Sequence, residues 1–214
     1  MQIHSCEQRS AEWYALRAGI PTASEFSKLV TSDGTPSKTL TTYAMTLAAE
    51  KFAGCTMDAW EGNGWTERGR ELEDEALRLY SFANDCNVTP IGFVTNDAHT
   101  AGCSPDGLVN GEGLIEIKCL KAENHVKAIL YFQKNGRCQT DYVQQTQGQI
   151  WLCERKWCDL VFFHPQLPLL TIRQHPDPAL QTALAAAVDA VHRERDIVLA
   201  ALYAQNSPVS IAAE

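Results

Sequence analysis

Apolar residues recur at helical spacing through the first third of the chain. In "SAEWYALRAG" Trp13 and Leu16 follow that spacing with Arg17 beside them, and Gly19 stops the helix. "TASEFSKLV" opens with Thr22 as an N-cap and Glu25 three residues later, the pattern of a capping box. "TLTTYAMTLAAEKFAG" reads as a helix closed by Gly54. "TERGRELEDEALRLYSFAND" reads as another, with Leu72, Ala76, Leu79 and Tyr80 on its apolar face. The period then shortens. "VTPIGFVTN" and "HTAGCS" look like strands, and "LVNGEGLIEIKC" like two strands joined by an Asn110-Gly111 turn. Residues 122–135 and 140–153 return to helical spacing, "CDLVFFHP" and "LPLLTIRQHP" are two further strands, and one long helix runs from Asp177 to about Ala204. Helices, a strand meander, helices, two strands and a helix predict a mixed α/β fold, a central sheet flanked by helices. With 214 residues and no internal repeat or dividing linker, a single domain over 1–214 is expected.

Composition adds less. A 45% hydrophobic content is ordinary for a globular chain. No apolar run is long enough for a membrane helix, and "MQIHSCEQRS" has no apolar signal-peptide region, so the expected compartment is the cytoplasm. The eight cysteines show no C-x₂-C pair for a metal, and the chain's length and missing secretion signal argue against a disulfide framework, so reduced, mostly buried thiols are expected. A net charge of -8 excludes a protein that simply coats nucleic acid. The charge is uneven, however. Residues 58–75 carry seven acids and two arginines, while 117–137 carry five bases (Lys118, Lys121, Lys127, Lys134, Arg137) and one acid. A local basic surface of that kind can still meet a polyanion.

Candidate chemistry concentrates in "SPDGLVNGEGLIEIKC". On the strand "LIEIKC" side chains alternate, so Leu114, Glu116 and Lys118 share one face while Ile115 and Ile117 share the other. The hairpin turns the chain back and brings Asp106 beside Glu116. Two carboxylates and an ammonium then converge, and the Ile117 carbonyl points sideways toward the same place. Such oxygens suit Mg²⁺, which keeps waters able to attack phosphorus, and Lys118 would orient that water or offset charge on the phosphate. A surface hairpin with a solvated Glu–Lys pair remains the alternative on spacing alone.

Pro105-Asp106 followed by Glu116-Ile117-Lys118 resembles the PD-(D/E)xK nuclease signature. "LRAGIPTASEF", "GRELEDEA", "CSPDGL", "LIEIKC" and "YVQQTQGQIW" occur together and in order, and the chain from about 9 to 175 resembles the lambda-exonuclease (YqaJ-type viral recombinase) family. The resemblance implies a restriction-endonuclease-like core. It implies a Mg²⁺-dependent exonuclease, with two ions and Mn²⁺ as a substitute, that degrades one strand of duplex DNA from its 5′ end. Glu73, after Gly69, would complete the metal site with Asp106, Glu116 and Ile117. Lys118 would activate the water, Gln147 would contact the scissile region, and Gln145 the DNA. Arg17 and Ser24 would hold the 5′-phosphate. The expected partners are duplex ends, a ring of three subunits and a single-strand annealing protein of phage-type recombination, in a bacterial host and with no membrane.

Two departures follow from the same resemblance. Asn96 stands where a further carboxylate is often found, with Asp97 next to it. The arginine that can follow the Ser24 segment is missing from "TSDGTPS", so Lys28 or Lys38 would substitute. His99 is read as a strand surface residue. The rival readings are another nuclease of the same core, an endonuclease or a Cas4-like enzyme with an iron–sulfur cluster, and a non-catalytic module that binds DNA ends.

Overall fold

The computed structural model describes residues 1–57 and 65–206, without the side chains of 65–71. Of the acidic run, Asp58 and Glu61 lie outside the described residues, and the side chains of Glu67 and Glu71 are not described. The chain begins with β1 (Gln2–His4), α1 (Ala11–Arg17), a 3-10 turn (Ala23–Lys28) and α2 (Leu40–Ala53). Next come α3 (Trp65–Asn84), β2 (Val88–Thr89), β3 (Phe93–Thr95), β4 (Gly102–Cys103), β5 (Gly107–Val109) and β6 (Gly113–Cys119). α4 (Ala122–Asn135), α5 (Val143–Leu152), β7 (Trp157–Phe163), β8 (Leu170–Gln174) and α6 (Pro178–Asn206) complete it.

Five strands form the central sheet in the order β2-β5-β6-β7-β8. Only β6 and β7 run parallel, and α4 and α5 supply the crossover that a parallel pair needs. A smaller sheet, β1-β3-β4, carries the N-terminal region alongside. The period-2 reading of β6 sorts the core. Leu114 packs with residues of α2, α5 and α6, while Ile115 and Ile117 pack with Ala76 and Tyr80 of α3. Leu160 and Phe162 of β7 meet Ala128 of α4. Asn110 and Gly111 both take positive φ (47° and 78°), as a tight hairpin requires.

Several expectations need correction. "VTPIGFVTN" is two strands in two sheets, because Pro90 lacks a donor and the chain crosses between layers there. The capping box at Thr22 does not form: Thr22 makes no side-chain cap bond, the segment is a 3-10 turn, and Glu25 pairs with Lys28. Leu79 is 45% exposed rather than part of the core. All eight cysteines are free; Cys55 is exposed, Cys86 and Cys119 are partly buried, and the rest are buried. No helix among the described residues is long and apolar enough to cross a membrane.

Candidate active site

The C-terminal half of β6 runs past the short β5, so its edge is open where Asp106 enters. Asp106 N–H donates to the Ile115 carbonyl at 3.1 Å, and the Ile117 N–H donates back to Asp106 Oδ2 at 2.6 Å. A strand residue's N–H and C=O point to the same side, so the Ile117 carbonyl lies along the Asp106 edge. Glu116 is 5% exposed on the α5 face. Its Oε1 accepts from Lys118 Nζ at 2.8 Å and from Gln145 Nε2 at 2.7 Å, and its Oε2 from Gln149 Nε2 at 2.6 Å. Lys118 also donates to Gln145 Oε1 at 2.9 Å and lies 5.6 Å from the centre of the Tyr142 ring.

α3 approaches from the opposite face of the sheet and brings Glu73. Together with Asp106, Glu73 lines a cleft of 510 Å³ whose other wall is the segment 3–9. Arg9 Nη2 stands 3.8 Å from Glu73 Oε1. Charge is unbalanced here. Burial, then the neighbouring Glu116, pushes the Asp106 carboxyl well above the usual carboxylate range, against the pull of the Ile117 N–H. Burial raises Glu73 as well, opposed by Arg9. Lys118 is raised, because Glu116 outweighs the burial that would lower it.

A divalent cation fits this chemistry. Asp106 and Glu116 are hard oxygen donors that repel one another, a repulsion a cation relieves, and Mg²⁺ needs only one or two carboxylates beside its waters. Among the described residues no three His, Cys, Asp or Glu side chains close around a single point. The set is therefore Asp106, Glu116 and the Ile117 carbonyl, with Glu73 across the cleft. The same absence leaves no described cysteine cluster for an iron–sulfur reading.

Helical period explains a second correction. Gln145 and Gln149, four apart on α5, face the site, whereas Gln147 lies about 200° away at 100° per residue. Gln147 is 3% exposed and donates to the His175 carbonyl at 2.8 Å. Its Oε1 accepts from Asp177 N–H at 2.8 Å, so it anchors the start of α6 and does not reach the scissile region.

Arg17 and Ser24 do come together, in a 170 Å³ cavity also lined by Arg9, Trp13, Thr22, Ser104, Gln145 and Gln149. Arg17 Nη2 donates to Thr22 Oγ1 at 3.3 Å, and Thr22 Oγ1 lies 3.3 Å from Ser24 Oγ. The Arg17 guanidinium stacks 4.1 Å from the Trp13 ring centre, while Trp13 Nε1 donates to Ser104 Oγ at 2.7 Å. α5 comes this close because residue 148 is glycine: a Cβ there would meet Phe26 at 2.4 Å. Two buried charges fix the loop after Arg17. Glu50 Oε2 accepts from Gly19 N–H at 3.0 Å, and Arg195 Nη1 donates to the Gly19 carbonyl at 2.7 Å. Lys28 lines an adjoining 330 Å³ cavity with Arg17 and Tyr43. Lys38 is exposed and lines neither cavity. Asp97 pairs with the Met1 amino group at 3.0 Å, Asn96 caps its own turn at Thr100, and His99 contacts Thr95, so none of the three joins the catalytic strand.

Gln149, Ser104 and Trp13 were missed in the sequence. The i, i+4 glutamine spacing was the available signal for Gln149; nothing local marked the other two.

A mixed five-stranded sheet with Pro-Asp and Glu-x-Lys meeting at the end of β6 defines a restriction-endonuclease-like nuclease fold. Residues 12–156 match the YqaJ-like viral recombinase domain, and the chain belongs to that family. It is similar to the alkaline exonuclease LHK-Exo of Laribacter hongkongensis, at 30% identity and TM-score 0.80 over 94% of this chain and 100% of that one. LHK-Exo in complex with dAMP gives 29% and 0.81 over the same shares. A phage related exonuclease from Haemophilus somnus 129PT shares the fold at 19% identity and TM-score 0.67, covering 86% of this chain and 96% of that one. No curated protein matches the chain.

Proposed function

We propose that this chain is a magnesium-dependent 5′–3′ exonuclease of linear double-stranded DNA, leaving 3′ single-stranded tails for recombination by strand annealing. The observation that carries the reading is the over-charged Asp106–Glu116–Lys118 cluster beside the cavity of Arg17 and Ser24. Similarity to alkaline exonucleases along almost the whole chain supports the nuclease class.

Asp106, Glu116 and the Ile117 carbonyl would hold Mg²⁺, or Mn²⁺ in its place, with Glu73 completing a second position. Bound there, the cation supplies an activated water and positive charge at the phosphate. Gln149 fixes Glu116 Oε2 and leaves the other oxygen to exchange Lys118 and Gln145 for a ligand. The Lys118 ammonium, already steered by Gln145, orients the water and offsets charge growing on the phosphate oxygens. Arg17 offers a planar fork, and Ser24 a hydroxyl, to a terminal 5′-phosphate. Holding the end beyond the cutting position sets the length released.

Lys121, Lys127, Lys134 and Arg137 are all exposed after β6, and Lys127 lines a small cavity with Tyr142. This surface suits a duplex path through a homotrimeric ring, and a single-strand annealing protein would receive the 3′ strand in the cytoplasm of a bacterial host. Linear duplex labelled at either the 5′ or the 3′ end tests the polarity. The expected result is early release of 5′ label, a strong preference for 5′-phosphorylated ends and no attack on closed circles. Early 3′ release, or cutting of circles, would refute it. Light scattering should give three times the 23.7 kDa chain mass; a monomer would remove the ring.

A further inference from the structure

We infer that Arg9 is a substrate-contacting residue whose guanidinium holds the phosphate being cut; this rests on the nuclease reading above. Arg9 lines both the cleft of Glu73 and Asp106 and the cavity of Arg17 and Ser24, and borders the cavity of Lys28 as well. It is the side chain these three spaces share. A terminal nucleotide has one phosphate at each end, so a cation between the two spaces lies on the path that nucleotide must take.

The backbone holds Arg9 there at a cost. Its φ is +68°, a left-handed conformation that glycine adopts without strain and arginine does not. The turn is closed by Ser10 N–H donating to the Glu7 carbonyl at 3.1 Å. Both sides of the turn are anchored. Gln8 Nε2 donates to the Pro105 carbonyl at 3.2 Å, immediately before Asp106, and to the Ile91 carbonyl at 2.9 Å. Ser10 Oγ accepts from Trp13 N–H at 3.2 Å and starts α1, which ends at Arg17. One short turn thus registers Arg9 against the metal-binding loop and the phosphate-binding helix together.

The guanidinium is nevertheless poorly used by the protein. Nη1 is buried and donates to no described atom, while Nη2, among the described residues, stands 3.8 Å from Glu73 Oε1, too long for a hydrogen bond. A buried donor without an acceptor is costly, and a phosphate oxygen is the acceptor that a guanidinium fork matches. Nearness to Glu73, rather than to the Arg17–Thr22–Ser24 group, assigns Arg9 to the phosphate in the cleft instead of the terminal one.

The test is Arg9→Gly, which removes the side chain and suits the positive φ. In a Lys118→Ala background, binding of a 5′-phosphorylated duplex is measured by fluorescence anisotropy across salt concentrations. Arg9→Gly is expected to weaken binding about tenfold and to lower the salt slope by roughly one. Arg9→Lys should restore the slope but only part of the affinity. In the active chain, Arg9→Gly should slow 5′-phosphorylated and 5′-hydroxyl ends by the same factor, whereas Arg17→Ala should slow mainly the former. Unchanged affinity and slope would mean that Arg9 serves Glu73 alone, and would overturn the proposal. Loss of the preference for 5′-phosphate in Arg9→Gly would overturn it too, by moving Arg9 to the terminal phosphate. A wild-type chain that neither binds nor degrades linear duplex would remove the nuclease reading and this role together; a normal wild type beside an unaffected Arg9→Gly removes this role alone.

Discussion

Two charged clusters lie on neighbouring strands of one sheet, and they are built to opposite rules. On β7, Asp159 is 1% exposed. Arg173 from β8 grips it with two bonds of 2.8 Å, and the Tyr80 hydroxyl donates at 2.5 Å. Arg173 in turn lies 3.8 Å from the centre of the Trp157 ring. That cluster is closed: one carboxylate, one guanidinium and a hydroxyl. Around β6, Asp106, Glu116 of the strand and Glu73 of α3 face one lysine and Arg9, which makes no hydrogen bond to Glu73, and both Asp106 and Glu73 are pushed up by burial and by Glu116. Matched buried charge holds strands and a helix together. Buried charge in excess is stable only with a ligand that the protein does not itself provide.

The largest effect expected from that contrast is on turnover. Lys118→Ala and Asp106→Ala should each lower degradation of linear duplex by about a thousandfold, the loss typical of one preorganised electrostatic group, with folding intact. Near-normal rates in either variant would break the comparison. Arg173→Ala should do the reverse. It strands Asp159 and should cost about 2–3 kcal/mol in urea denaturation, while activity per folded molecule stays near wild type. Tyr80→Phe removes one donor to the same carboxylate and should cost about 1.5 kcal/mol in the same assay.

The smallest effect carries the opposite sign. Without divalent cation, Asp106→Asn should stabilise the fold slightly at neutral pH, since burial and the neighbouring Glu116 penalise the ionised acid. The sign follows from linkage. A carboxyl whose folded pKa lies above its unfolded one contributes stability that is fully present below the ordinary carboxylate range and lost as pH rises through the folded value. Thermal melts of the metal-free wild type should therefore decline across that window, and Asp106→Asn should flatten the decline. A variant less stable than wild type at neutral pH would show that the site is not over-charged.

Much of this was legible in the sequence where period and chemistry agree. Alternation along "LIEIKC" placed Glu116 and Lys118 on one face and Ile115 and Ile117 on the other, as the core packing has them. The same period argument, applied to α5, favours Gln145 with Gln149 over Gln147; matching the motif alone missed it. Long-range partners left no local mark. Glu50 and Arg195 clamp Gly19 from segments far away in the chain, and Asp159 meets Arg173 only because β7 and β8 pair antiparallel. Arg9 was hidden differently: it occupies a turn position where its residue type is unexpected, and a turn's φ is not written in one arginine.

The central claim is that the Asp106 cluster is a metal-dependent nuclease centre, and a magnesium titration of duplex degradation tests it most directly. Wild type and Asp106→Asn are compared on a linear 5′-phosphorylated duplex from EDTA upward. The account predicts no degradation by the wild type in EDTA, activity restored by Mg²⁺ or Mn²⁺, and an Asp106→Asn chain that is folded yet inactive throughout. Wild-type activity in EDTA, or an Asp106→Asn chain that responds to Mg²⁺ like the wild type, would contradict it.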